Sequence, residues 1–128
     1  MRISDYLEIF VPTHIIDADT KNPIIKNTML EKTIISCHNM LNLKDTKFII
    51  CPDDRFSITH PLLMQEYKAY IPMLVKSFNK KGINCELRQK NSKTRRGNWK
   101  QFIEECKKPY MFFLEHDWIF LQKINVLE

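Results

Sequence analysis

Glycine is nearly absent: Gly82 and Gly97 are the only two in 128 residues. Loops that hold phosphate on backbone N–H groups need several glycines at fixed offsets, so Walker-type and dinucleotide-fingerprint loops are excluded. Cysteine is sparse and scattered. Cys37, Cys51, Cys85 and Cys106 include no C-x-x-C pair, which argues against a structural zinc and predicts reduced, mostly buried thiols. No apolar run approaches the roughly 18 residues of a membrane-spanning helix. Met1-Arg2-Ile3-Ser4-Asp5 places an acid where a signal peptide needs an unbroken apolar core. Internal repeats and low-complexity tracts are also missing. Together these absences predict one domain over residues 1–128, cytoplasmic or at the cytosolic face of a membrane.

What is present is globular: 44% of residues are apolar and 27% charged. The net charge of +5 is unevenly placed. Residues 80–100 carry eight positive charges against Glu86 alone, leaving twelve of the 20 positive and fourteen of the 15 negative charges elsewhere. The excess is a local patch, which implies an anionic partner if it lines a site and a solvated loop if it does not.

Four apolar runs read as strands. Leu7 to Pro12 and Lys47 to Pro52 each end on proline, Ile83 to Leu87 is weaker, and Tyr110 to Leu114 is the most apolar. Residues 13–26 read as a long loop. Helical spacing follows from Asn27 or Thr28 through Leu41, and again from Pro61, with Tyr67, Tyr70, Ile71, Leu74, Val75 and Phe78 on one face. Pro72 is expected to kink or split that second segment and Gly82 to end it. A basic loop, 93-KTRRGNWK-100, precedes a third helix that runs to about Lys107. Strands alternating with helices predict an α/β fold, a Rossmann-like and mostly parallel sheet with helices on both faces.

Ligands of such sheets bind beyond the carboxyl ends of the strands. Thr13-His14, Asp53-Asp54 and Glu115-His116-Asp117 each follow a strand, so all three should line one edge. Glu115 and Asp117 at a spacing of two offer hard oxygen ligands suited to Mg²⁺ or Mn²⁺. The bland alternative is a solvated strand end or a carboxylate that caps a helix. Asp53-Asp54 reads either as a turn and cap pair or as an acceptor for a base or ribose. Arg95 and Arg96 could offer paired donors to a diphosphate. His14 reads as a solvated loop residue, and Trp99 and Trp118 as core.

The same residues carry a family resemblance. 7-LEIFVPTH-14, 27-NTMLEKTIISC-37, 48-FIICPDD-54 and 95-RRGNWKQFIEECKKPYMFFLEHDW-118 resemble, in order and spacing, the nucleotide-sugar-binding half of a GT-A-fold glycosyltransferase of the broad family-two-like kind. The resemblance covers about residues 7–120. It implies a nucleotide-sugar donor, UDP-sugar favoured, held with Mn²⁺ or Mg²⁺ and an acceptor of unknown nature. Thr13 would meet the nucleoside, Asp53 or Asp54 the base, and Arg96 or Asn98 the phosphate–ribose region. Glu115 and Asp117 would occupy the two acidic positions of the metal-binding Asp-x-Asp motif, Asp117 as the direct ligand. Glu115 departs from the aspartate usual there. The sequence ends eleven residues after Asp117, whereas in the family the acceptor half and any catalytic base lie further on, so a truncated domain, a fragment of a longer protein or a degenerate relative is expected and no base is assigned. Two other readings stand beside this one. The first is a non-catalytic nucleotide- or protein-binding module on the same fold. The second, disfavoured, is a small nucleic-acid-binding domain using residues 80–100.

Overall fold

A computed structural model describes residues 2–13, 23–52, 61–88 and 95–114. After a short 3₁₀ turn, the described elements are β1 (Leu7–Thr13), α1 (Pro23–Met40), β2 (Lys47–Pro52), α2 (Pro61–Lys80), β3 (Cys85–Leu87), α3 (Arg95–Glu105) and β4 (Tyr110–Phe113). The strands form one sheet in the order β3-β2-β1-β4. Every pairing in it is parallel.

β2 ends on Pro52 as the sequence suggests, but Pro12 does not end β1. β1 continues through Pro12 to Thr13, and its pairing with β2 runs to the rung Thr13↔Pro52. Among the described residues, the last β1–β4 rung is Phe10↔Phe113 and the last β2–β3 rung is Ile50↔Leu87. Backbone direction explains this. The Phe10 carbonyl accepts from the Leu114 N–H, so by two-residue alternation Pro12 also faces β4. The Arg88 N–H donates to the Ile50 carbonyl, so Pro52 faces β3. Each proline therefore aims its missing N–H away from the central β1–β2 pair, which is left intact.

Alternation also sorts the core. Ile9, Val11, Phe48, Ile50 and Cys85 point to one face, where α1 and α2 bring Leu30, Ile34, Cys37, Met64, Tyr67, Ile71, Leu74 and Phe78. Phe10, Ile49 and Cys51 point to the other, where Phe102 of α3 is buried with them and Trp99, Met111 and Phe113 pack around it. Helices thus cover both faces.

Three boundaries differ from the sequence expectation. α1 begins at Pro23, several residues earlier than Asn27, because proline is well suited to a first helical turn whose N–H groups lack partners. α2 is one element through Pro72; the buried positions Met64, Tyr67, Ile71, Leu74 and Phe78 on both sides of the proline contribute about 2 kcal/mol each, enough to offset a lost backbone bond. α3 takes in Arg95 to Lys100, so much of the expected basic loop is helical. The stop at Gly82 is as expected. With φ +82, its N–H donates to the Asn79 carbonyl and that of Ile83 to the Phe78 carbonyl, and Ile83 and Phe78 share the core. That is a Schellman closure.

At the start of β3 the Asn79 side chain acts as a strand partner. Cys85 pairs with Phe48, but its own N–H and carbonyl face away from β2. The Asn79 amide bonds both, accepting from the Cys85 N–H at 3.2 Å and donating to its carbonyl at 2.9 Å, which blunts that sheet edge.

Candidate functional site

The carboxyl ends of four parallel strands lie along one edge. The chain leaves β1 toward α1 and β2 toward α2 in one direction across the sheet, and β4 returns on the far side of β1. The strand order therefore reverses between β1 and β4, which is where open α/β sheets leave a crevice. Among the described residues the last β1–β4 rung is Phe10↔Phe113, so the crevice lies at the end of β1, by Pro12 and Thr13. Asp53 and Asp54 follow β2 directly, and Glu115 and Asp117 follow Leu114 directly; these four, with His14, His116 and Trp118, lie outside the described residues.

Of the residues singled out in the sequence, Thr13 is described in full. It is 2% exposed, and its hydroxyl is hydrogen-bonded to the Tyr67 hydroxyl at 2.5 Å. The side chain thus supports the crevice wall from within. Tyr67, itself 1% exposed, was legible only as one more apolar position on α2; no sequence pattern distinguishes a tyrosine whose ring fills the core from one whose hydroxyl meets a strand 54 residues away.

α3 joins the carboxyl end of β3 to the amino end of β4, so it starts at the site edge and ends at the opposite one. Its far end confirms the direction, since the Cys106 thiol lies 3.6 Å from the Glu8 carboxylate near the beginning of β1. The backbone of Arg96 and Asn98 therefore sits in a first helical turn at the crevice end; their side chains lie outside the described part. Aromatic packing fixes the helix. Phe102 stacks on Phe10 at 4.3 Å and 11°, Phe113 meets both edge-on, and Trp99 packs on Phe113 at 5.2 Å. Trp99 is partly buried and packs against this core cluster, where the sequence suggested a core residue.

Arg88, immediately after β3, was legible only as part of the basic patch. Its guanidinium bonds Glu86 at 2.6 and 3.0 Å, approaches Glu105 to 3.7 Å and lies 6.0 Å over the Phe102 ring. Two carboxylates engage this charge, so within the patch Arg88 is part of the scaffold and not a free cation.

The four cysteines are free thiols, three buried and Cys106 partly so, as the sequence predicted. Burial pushes the Cys37 thiol up to about 12. Burial, with Glu86 nearby, does the same for Cys85. Cys106 is also raised, by burial first and then by Glu8. Thiols held protonated are poor nucleophiles, so covalent cysteine chemistry is not a reading these three support. Among the described residues no group of three or more His, Cys, Asp and Glu could hold a metal ion, and no described helix is long and apolar enough to cross a membrane. The candidate metal ligands are the two carboxylates after β4, a donor set of the hard-oxygen type that Mg²⁺ and Mn²⁺ take.

No protein-family model matches the chain, and no curated protein matches it at a significant level.

Proposed function

We propose that the chain is a glycosyltransferase-type domain that binds a nucleotide-diphosphate sugar, UDP-sugar favoured, at the carboxyl edge of its sheet. The observation that carries this reading is the crevice between β1 and β4. The chain segments bearing the acids after β2 and β4, and the first turn of α3, all start from the same edge. In this reading Asp53 or Asp54 accepts from the base, and Thr13 shapes the nucleoside end. Arg96 or Asn98, at a helix start that favours anions, meets the phosphate–ribose region. Glu115 and Asp117 hold Mn²⁺ or Mg²⁺. The cation, when bound, supplies charge neutralisation of the departing diphosphate as the bond to the anomeric carbon breaks. The protein's own part is to orient the donor and set the carboxylates. The acceptor and a base stay unassigned.

Calorimetric titration with UDP and GDP, with and without Mn²⁺, tests the reading beside Asp117→Ala. Metal-dependent binding in the parent chain, weakened more than tenfold in the variant, or at least about 1.4 kcal/mol, is the expected result. Absence of binding to either nucleotide under both conditions removes the proposal. Slow sugar release from a bound donor would favour an enzyme over a non-catalytic binding module.

A further inference from the structure

We infer that Tyr67 is a positioning residue for the nucleoside end of the crevice, acting through Thr13; the inference rests on the nucleotide-binding reading above. Among the described residues, the other fully buried positions of α2 (Met64, Ile71, Leu74 and Phe78) are apolar, and phenylalanine would fill the Tyr67 position with the same ring. The Tyr67 hydroxyl is the exception among those buried positions, and it meets another buried hydroxyl, that of Thr13.

Stability does not account for the pair. Each hydroxyl loses water on burial, and replacing both partners by apolar groups of the same shape is commonly near neutral. What a hydroxyl–hydroxyl bond adds over a valine–phenylalanine contact is direction. It fixes the rotamer of Thr13 and ties the upper part of α2 to the last residue of β1. Thr13 is also the final rung against Pro52, the residue before Asp53-Asp54. The bond therefore joins the end of β1 to α2, the helix that the chain of residues 53–60 connects to β2, on the β2 side of the crevice and away from β4. Such a clamp sets where the nucleoside sits without touching the diphosphate.

The test is calorimetric titration of UDP, and separately of inorganic pyrophosphate, each with Mn²⁺, into the parent chain, Tyr67→Phe, Thr13→Val, Thr13→Ser and the Tyr67→Phe/Thr13→Val double variant. Thermal midpoints are recorded for each. Tyr67→Phe and Thr13→Val should each weaken UDP about fivefold, the scale of one neutral hydrogen bond. Pyrophosphate affinity should be unchanged, Thr13→Ser should bind as the parent does, and the double variant should lose no more than either single one. A merely structural bond would lower the midpoints and weaken both ligands together, and that result overturns the inference. UDP affinity unchanged in a folded Tyr67→Phe overturns it alone, leaving the nucleotide reading in place. A parent chain that binds neither UDP nor GDP removes both.

Discussion

The two faces of the sheet are built to different standards. Among the described residues, sixteen buried side chains make up the cluster under α1 and α2, and four make up the one under α3. On the first face the load is spread over two helices, the β3 strand and the closing turn at Ile83. On the second, one helix is held chiefly by Phe102, stacked on Phe10 and edged by Phe113. The lesson is a division of labour. The thick face carries global stability and the thin face positions a helix whose first turn reaches the candidate site, where local opening costs least.

Phe102→Ala is the sharpest way to break that contrast. Removing a fully buried aromatic costs about 3–5 kcal/mol, and among the described residues no second buried α3 side chain stands in for it. Hydrogen exchange should rise across 95–105 and 110–113 while the β1–β2 ladder stays protected. Phe78→Ala, equally buried on the thick face, should cost a similar amount but lower protection throughout, because its neighbours belong to one cooperative core. Uniform loss of protection in Phe102→Ala would show that the faces are not separable.

Much of this division was readable in the residues. Strands buried on both faces announce themselves as unbroken apolar runs, so β1, β2 and β4 stood out, and parallel order followed from their alternation with helices. Proline was harder to read. Pro52 does end β2, but Pro12 looked like a strand end only because a sequence does not reveal which side of a strand its N–H would face. Pro72 looked like a break because the burial that holds α2 together across it is tertiary. The parallel sheet edge was legible in the sequence. Tyr67–Thr13, Asn79–Cys85 and Arg88 with its two glutamates were not, since each joins residues by a contact that only the folded chain creates. Asp53, Asp54, Glu115 and Asp117 lie outside the described residues, so the metal and base assignments rest on chain position.

Alkaline titration separates the faces at a smaller scale. Cys37 and Cys85 both lie in the thick cluster and are raised from 9.0 to about 12 in the folded chain. Below pH 9 both states hold these protons and no stability is lost. Between pH 9 and 12 the unfolded chain gives them up while the folded chain keeps them. Stability therefore falls as pH rises, by up to about 1.4 kcal/mol per unit for each thiol. Urea midpoints from pH 8.5 to 11 should decline less steeply in Cys37→Ala/Cys85→Ala than in the parent. Equal slopes would refute the assignment. At pH 8, iodoacetamide should modify Cys106, the partly exposed thiol at the end of α3, before either of them.

The smallest effect tests how little of α3 the thin face uses. Ile103 follows Phe102 directly, yet it is 52% exposed while Phe102 is fully buried. One residue along a helix is a rotation of about 100°, enough to turn a side chain from the sheet to solvent. Ile103→Ser should therefore change stability by less than about 0.5 kcal/mol in a urea titration, a typical surface value. If it costs as much as a core truncation, Ile103 is covered by something other than the described residues, and the thin face is broader than Phe102 and its aromatic neighbours. If it is neutral while Phe102→Ala frees the helix, a single ring anchors α3 to the sheet. The placement of the first turn of α3 at the crevice end then depends on that one stack.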